Sequence, residues 1–369
     1  PPGEEYDPVS RRKARIIQIV AVIILVLFLS LFFGFFGKRS SVKENKANTA
    51  ISSAESNLNE AESLKATDPT QALTLVESAN KDLEEAKKKD PNNSKIEELE
   101  NKSSDLEAEI NKTNNVSLTT LFDFSKLKKG AKLDDAAQLG SQILLVDREG
   151  ATTFSLDLGT KNGLEVSGSA ASPQTITSYP AGFYLTNLTG INKLDTSFKV
   201  TSVGNSANWG KIQSSATYQN NLYLLDPNKG QIWKYVSTSQ GLGTGKAYVT
   251  GDKPDLSSST AMAIDAFVWV IAKNGTIYKF AGGANQNFTT SGLSQPISEA
   301  SDIFTNSATK NLYILDTGSG RVVVLDKSGS YLAAYSNSTF KKASLILVDE
   351  SQKIAYVGVG EKLYSFKLP

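Results

Sequence analysis

The sequence predicts an all-β six-bladed propeller with four-stranded blades, preceded by an α-helical hairpin or stalk and one transmembrane helix. Three observations predict it. A hairpin of two β-branched and aromatic runs recurs six times at nearly constant spacing. The intervening composition is Ala-, Glu-, Lys- and Leu-rich only over residues 40–115, where apolar residues follow a helical period. Finally, residues 16–36 form one long apolar run flanked by basic residues.

The clearest copy of the repeat is Asn311–Asp326, NLYILDTGSGRVVVLD. Its two strands meet at an Asp-Thr-Gly-Ser-Gly turn, where Asp can accept from turn backbone and the glycines allow positive φ. Across the copies the second strand of each unit ends at Asp147, Thr186, Asp226, Ala272, Asp316 and Gly358, at spacings of 39, 40, 46, 44 and 42 residues. A period near 42 built from short alternating strands matches a propeller blade. Weaker apolar runs precede the hairpins as candidate innermost strands, Ala261–Ala266, Ile297–Thr305 and Ser344–Val348 among them, and Ser330–Tyr335 is a candidate outer strand. The last unit ends after Lys362–Leu368, and an unpaired run, Val116–Phe124, stands ahead of the first unit. An open sheet edge leaves N–H and C=O groups unpaired. Residues 116–369 are therefore expected to close as a ring by pairing 116–124 with 362–368.

The segments LYLLDPNKGQIWKY and LYILDTGSGRVVVLD resemble propellers with YVTN, NHL or lactonase-type repeats. That group includes scaffolds, sensors and some enzymes, so the resemblance implies fold and leaves function open.

Residues 1–15 are expected to be a basic cytoplasmic tail and residues 16–37 a transmembrane helix. Ile16–Phe36 holds only Gln18 and Ser30 as polar residues. At ~1.5 Å per residue it would be about 31 Å long, enough to cross a hydrocarbon core of ~30 Å. A cleaved signal peptide fits less well, because the run is long and ends in bulky FFGFFGKR. Four basic residues flank each side: Arg11, Arg12, Lys13 and Arg15, then Lys38, Arg39, Lys43 and Lys46. The denser N-side cluster places the N-terminus in the cytoplasm and the propeller outside the cell membrane, single-pass. Residue 1 is Pro, not Met, which leaves room for an upstream domain. The arrangement resembles bacterial membrane proteins with a phosphatase-type domain, one span and a C-terminal propeller, which implies signalling.

Three helices are expected in residues 40–115, at about 43–66, 69–89 and 95–112. Asp68-Pro69-Thr70-Gln71 reads as an N-cap with Pro at the first position, and Ser94 with Glu97 as a second cap. The stripes Ala72, Val76, Ala79, Leu83, Ala86 and Ile96, Leu99, Leu106, Ile110 are narrow, so they need each other or a partner chain, such as a second copy in a coiled coil. Ala79-x3-Leu83-x2-Ala86 followed by Pro91 resembles the second helix of a tetratricopeptide repeat. Fewer than the ~3 repeats a groove needs would fit, and a stalk is preferred.

Lys plus Arg is 39 against 38 for Asp plus Glu, a net charge of +1, which excludes a nucleic-acid footprint. With no Cys and no His, thiolate and His-dependent catalysis and Cys/His metal sites are excluded. GLGTGKA, Gly241–Ala247, lacks the Ser or Thr and the first glycine of a phosphate loop, and reads as a connecting loop. Asp147, Asp226 and Asp316 recur because the blade recurs, and Asx-turn chemistry accounts for them. Asp265, Asp302 and Asp349 lie near the inner strands, where one could face the central channel. Trp209, Trp233 and Trp269 are expected between blades.

No catalytic, cofactor-binding or metal-ligating residue is singled out, no cofactor is implied, and the chain is read as not an enzyme. The expected function is recognition: a sensor or scaffold presenting loops and channel to a protein, peptide or glycan ligand, with the bilayer held through Ile16–Phe36. The alternatives are a propeller hydrolase or lyase with a carboxylate-metal site, and a structural envelope spacer.

Overall fold

The computed structural model describes residues 46–166, 172–206 and 208–368. Ile16–Phe36 and the basic tail lie outside the described residues. Among those described, no helix is long and apolar enough to cross a membrane. The chain divides into two compact units, Pro1–Ile110 and Asn111–Pro369.

The first unit contains α1 (46–64), α2 (Pro69–Lys89) and α3 (Ser94–Ile110). Asp68 caps α2 by accepting from Gln71 N at 3.0 Å, directly before Pro69. At α3 the cap is Asn93, whose side chain accepts from Lys95 N at 3.0 Å, and Ser94 is already helical. Asn and Ser cap equally well, so the one placed first outside the helix takes the role. Ser53 Oγ donates to Asp82 at 2.7 Å and Asn57 Nδ2 to Ser78 Oγ at 3.3 Å, so α1 and α2 run antiparallel. Ion pairs from Lys95 to Glu55 and from Lys65 to Glu109 align α1 with α3 in the same direction. The narrow stripes meet in one core of Ile51, Leu58, Val76, Leu83, Ile96, Leu99 and Leu106 with the alanines between them. Alanine lets the helices approach closely, so little apolar width is needed. The described residues show three helices on one core and no array of helical repeats.

The second unit is a six-bladed propeller with four-stranded blades. The innermost strands are Asp135–Leu139, Thr175–Tyr179, Ser214–Tyr218, Ser259–Ile264, Ala300–Phe304 and Ala343–Asp349. The second strands are Gln142–Asp147, Gly182–Thr186, Asn221–Asp226, Val268–Ala272, Asn311–Asp316 and Ile354–Val359, and they are buried almost throughout. Apolar side chains from both faces of each sheet fill the spaces between blades. Tyr223, Leu225 and Ile232 of blade three, for example, pack on Met262, Ile264, Val270 and Phe280 of blade four.

Blade six takes its outer strand from the start of the unit. Thr119–Asp123 pairs antiparallel with Lys362–Lys367, Thr119 opposite Ser365 and Asp123 opposite Lys362. Just before it, Thr113–Asn115 lies parallel against Tyr331–Ser336 as a fifth strand of blade five. Eleven consecutive residues, 113–123, therefore stitch two neighbouring blades. Gly241–Ala247 is not a plain loop: Gly241–Leu242 pairs with Ser237–Thr238, and Lys246–Ala247 is the outer strand of blade three.

The recurrent aspartates are buried at 1%, 0% and 0% exposure, and they do more than shape their own turns. Asp147 accepts from Gly150 N at 2.6 Å and from Lys132 N at 3.2 Å, and Asp226 from Lys229 N at 3.2 Å and Gly210 N at 2.7 Å. Asp316 accepts from Ser298 N and Glu299 N, at 3.2 and 3.1 Å, and pairs with Arg321 at 2.9 Å. Each ties the loop entering its blade to the hairpin inside it. In the turn after Asp316 only Gly320 has positive φ, at 68°; Gly318 is needed for space, since a Cβ there would lie 2.2 Å from Ser298 Oγ. Blades two, four and six carry Thr186, Ala272 and Gly358 at the corresponding place. The ring thus alternates between two kinds of blade.

Candidate functional site

The inner strands enclose a channel that narrows at a waist between two cavities. The upper cavity, at the starts of the inner strands, has a volume of about 290 Å³, and the lower about 530 Å³. Asp135, Ser214 and Asp302 line both. These three come from blades one, three and five. Each reaches the next blade: Asp135 accepts from Ile176 N at 2.9 Å, Ser214 Oγ from Met262 N at 3.2 Å, and Asp302 from Ile346 N at 2.8 Å. Asp135 also accepts from Ala136 N at 2.9 Å, and Asp302 from Ile303 N at 2.8 Å. These three polar residues can stand in the inner strands because each answers a backbone N–H across a blade boundary.

Above the waist sits Arg148, on the turn that follows the second strand of blade one. Its Nε donates to Gln174 O at 2.6 Å and its Nη2 to Gln213 O at 2.9 Å, so the side chain spans from blade one to blade three. Its backbone N–H is held by Asp134 at 2.8 Å. The guanidinium has five N–H donors, so further donors remain for a ligand. Lys273 and Glu299, paired at 2.8 Å, complete the charged rim.

The two waist carboxyls are shifted differently. Each keeps some surface open to the lumen but is walled by protein on every side. Loss of hydration pushes Asp302 up to about 8, against the ionising effect of its amide bonds and with a further push from Asp135. The same desolvation pushes Asp135 up to about 6, but the nearby Arg148 charge holds it lower than Asp302. Near neutral pH the channel therefore carries a proton-bearing carboxyl, a carboxylate and a guanidinium.

Of the acidic residues noted in the sequence, Asp302 alone faces the waist. Asp265 pairs with Lys327 at 2.8 Å and accepts from Trp269 Nε1 at 3.0 Å, linking blades four and five. Asp349 caps a turn, accepting from Gln352 N at 3.0 Å. Trp209 and Trp269 are buried in blade packing, and Trp233 donates to Asp226 at 3.0 Å. Asp135 and Arg148 were not foreseen. The available sign was a carboxylate within a short inner strand, first in DAAQL and third in ASDIF.

The donor set does not fit a resident metal. Both oxygens of Asp135 and of Asp302 already accept backbone N–H groups, and among the described residues no group of three or more acidic side chains could hold an ion.

No family model matches the chain, and no curated protein matches it. Solved structures do. A gluconolactonase from Xanthomonas campestris aligns with a TM-score of 0.51 at 14% identity, covering 69% of this chain and 90% of that one. A virginiamycin B lyase from Staphylococcus aureus aligns at 0.50 and 11%, covering 69% and 100%, and a streptogramin B lyase at 0.50 and 13%, covering 69% and 98%. These structures share its six-bladed propeller fold. That corrects the expectation, drawn from the lack of His and Cys, that the chain is not an enzyme. Solved propellers of this shape include a lactonase and lyases, so the fold is one that enzymes use and the lack of His and Cys does not rule catalysis out.

Proposed function

We propose that the propeller is a hydrolase or lyase that opens a small cyclic ester at the upper mouth of its channel. The observation that carries this is the pair of channel carboxyls pushed apart in acidity beneath one guanidinium, an arrangement that assigns an acid and a base. The names of the fold neighbours favour the substrate class.

In the hydrolytic form, Asp135 takes a proton from water as the resulting hydroxide bonds to the ester carbon. Arg148 donates to the oxyanion. The ring C–O bond then breaks and Asp302 gives its proton to the leaving oxygen. An eliminating lyase needs the same two roles, with the base acting on a C–H bond.

The test is hydrolysis of glucono-1,5-lactone, followed by pH-stat titration. kcat/KM is expected to be bell-shaped, rising near pH 6 as Asp135 ionises and falling near pH 8 as Asp302 does. Asp302→Asn should lower kcat by roughly 10²-fold or more. Turnover indifferent to both Asp302→Asn and Arg148→Ala would sink the proposal; binding without turnover would leave a recognition module.

We further propose that Ile16–Phe36 anchors the protein by a single span with the propeller outside the cytoplasm. With epitope tags at both ends, protease treatment of intact cells should remove the C-terminal tag and spare the N-terminal one. Protection of the C-terminal tag until lysis would reverse the topology.

A further inference from the structure

We propose that the lower mouth of the channel is a second binding site, for a neutral sugar of about two rings. It is independent of the ring-opening proposal. The lower cavity is nearly twice the volume of the upper one, at about 530 against 290 Å³, and falls in the range of small-molecule sites. Its chemistry also differs. Arg148, Lys273 and Glu299 line the upper cavity, whereas no lysine or arginine lines the lower one among the described residues.

Asp349 and Glu350 line the lower cavity, with Asp135 and Asp302 at the waist, so its lining is acidic. Glu350 accepts from Lys310 N at 2.7 Å, Asn311 N at 3.2 Å and Tyr313 Oη at 2.9 Å. Asp349 accepts from Ser351 Oγ at 2.5 Å and Gln352 N at 3.0 Å. An anion would find no counter-charge there and would lose its hydration without compensation.

What remains is a wall of hydroxyl and amide groups, such as Gln138, Thr177 and Asn306, beside Phe304 and the small residues Ala136 and Ala308. Sugars present the same combination, hydroxyls at the ring edge and C–H groups on the face. A peptide would bring N–H and C=O groups in a row and need a longer cleft than this closed ring provides.

The test is isothermal titration of the full chain, kept in a sugar-free detergent, with maltose and cellobiose as probes and glucuronate as the anionic control. A neutral disaccharide is expected to bind at millimolar affinity or better and to bind at least tenfold tighter than glucuronate. Ala308→Trp, at an exposed turn on the lower rim, should weaken it at least tenfold, and Gln138→Ala about threefold. Lys273→Ala, on the upper rim, should change it by less than twofold. Failure of both disaccharides to bind, preference for glucuronate, or sensitivity to Lys273→Ala in place of Ala308→Trp would each overturn the proposal. Lactone turnover reads the upper mouth separately, so either proposal can fail alone.

Discussion

Asp316 and Asp302 are both aspartates in blade five, and their surroundings give them opposite characters. Asp316 is sealed from solvent but receives two backbone N–H groups and the Arg321 guanidinium. Those partners outweigh the cost of burial and hold its carboxyl below the usual range. Asp302 has amide donors but no adjacent cation of its own, and desolvation wins. Removing Asp316 would strand Arg321, which would keep only Gln295 O and Pro296 O as acceptors, and would orphan two amides. Asp316→Ala should cost about 3–5 kcal/mol in urea unfolding, and the Asp316→Ala/Arg321→Leu double variant should recover part of it. A double variant as unstable as the single would show that the pair is not the origin. At this scale the sequence was half legible. An Asp before a Gly-rich turn announced a turn, but the loop residues Lys132, Gly210 and Ser298 that complete each cluster lie 15 to 18 residues upstream, at no fixed spacing.

At the scale of elements, alternation and turn chemistry located the hairpins, because a half-buried strand must alternate and a tight turn must use Gly, Asn or Asp. Short strands were harder. Lys246–Ala247 has two residues and no pattern, so the outer strand of blade three read as loop. The cap of α3 was misplaced by one residue for a similar reason: two good caps stood side by side at Asn93 and Ser94. The strand Thr119–Asp123 continues into Phe124, which is fully buried 5.2 Å from Phe154, and whose N–H donates to Glu361 O at 2.8 Å. This residue fastens the joint of the ring. Phe124→Ala should cost about 3–5 kcal/mol and raise amide exchange first along Thr119–Asp123 and Lys362–Lys367. Uniform exchange across all blades would argue against a local joint.

For the whole molecule, the channel makes stability depend on pH. A carboxyl whose acidity is weakened by folding adds stability below its unfolded pKa, and that contribution fades as pH rises through the folded value. Asp302 and Asp135 therefore favour the fold at acid pH and lose that contribution between about 4 and 8. Asp316 and Asp326 work in the other direction, lost as pH falls below the usual carboxylate range. Asp302→Asn sets an amide NH₂ against one of two N–H donors and should lower the melting temperature most near pH 5, where the wild-type carboxyl is neutral. The gap should narrow above pH 8; a gap constant from pH 5 to 9 would mean that Asp302 does not titrate in this range. The ring itself was visible in the sequence, since six copies of one hairpin leave few alternatives. The waist was not, because Asp135 and Asp302 lie 167 positions apart and only ring closure brings them to one lumen.

The alternation of blades bears on where the chain can be cut. If the single blade were the repeating unit, neighbouring blades should be equally alike. Instead the buried Asp returns at every second blade, in one, three and five, and so does the waist residue that reaches across to the following blade. The repeating structural unit is then a doublet of blades, and the ring is three doublets in one chain. New termini cut between doublets, after Asn205 or before Ser298, would respect that grain, whereas a cut inside a doublet would sever a carboxyl or hydroxyl from the amide it meets.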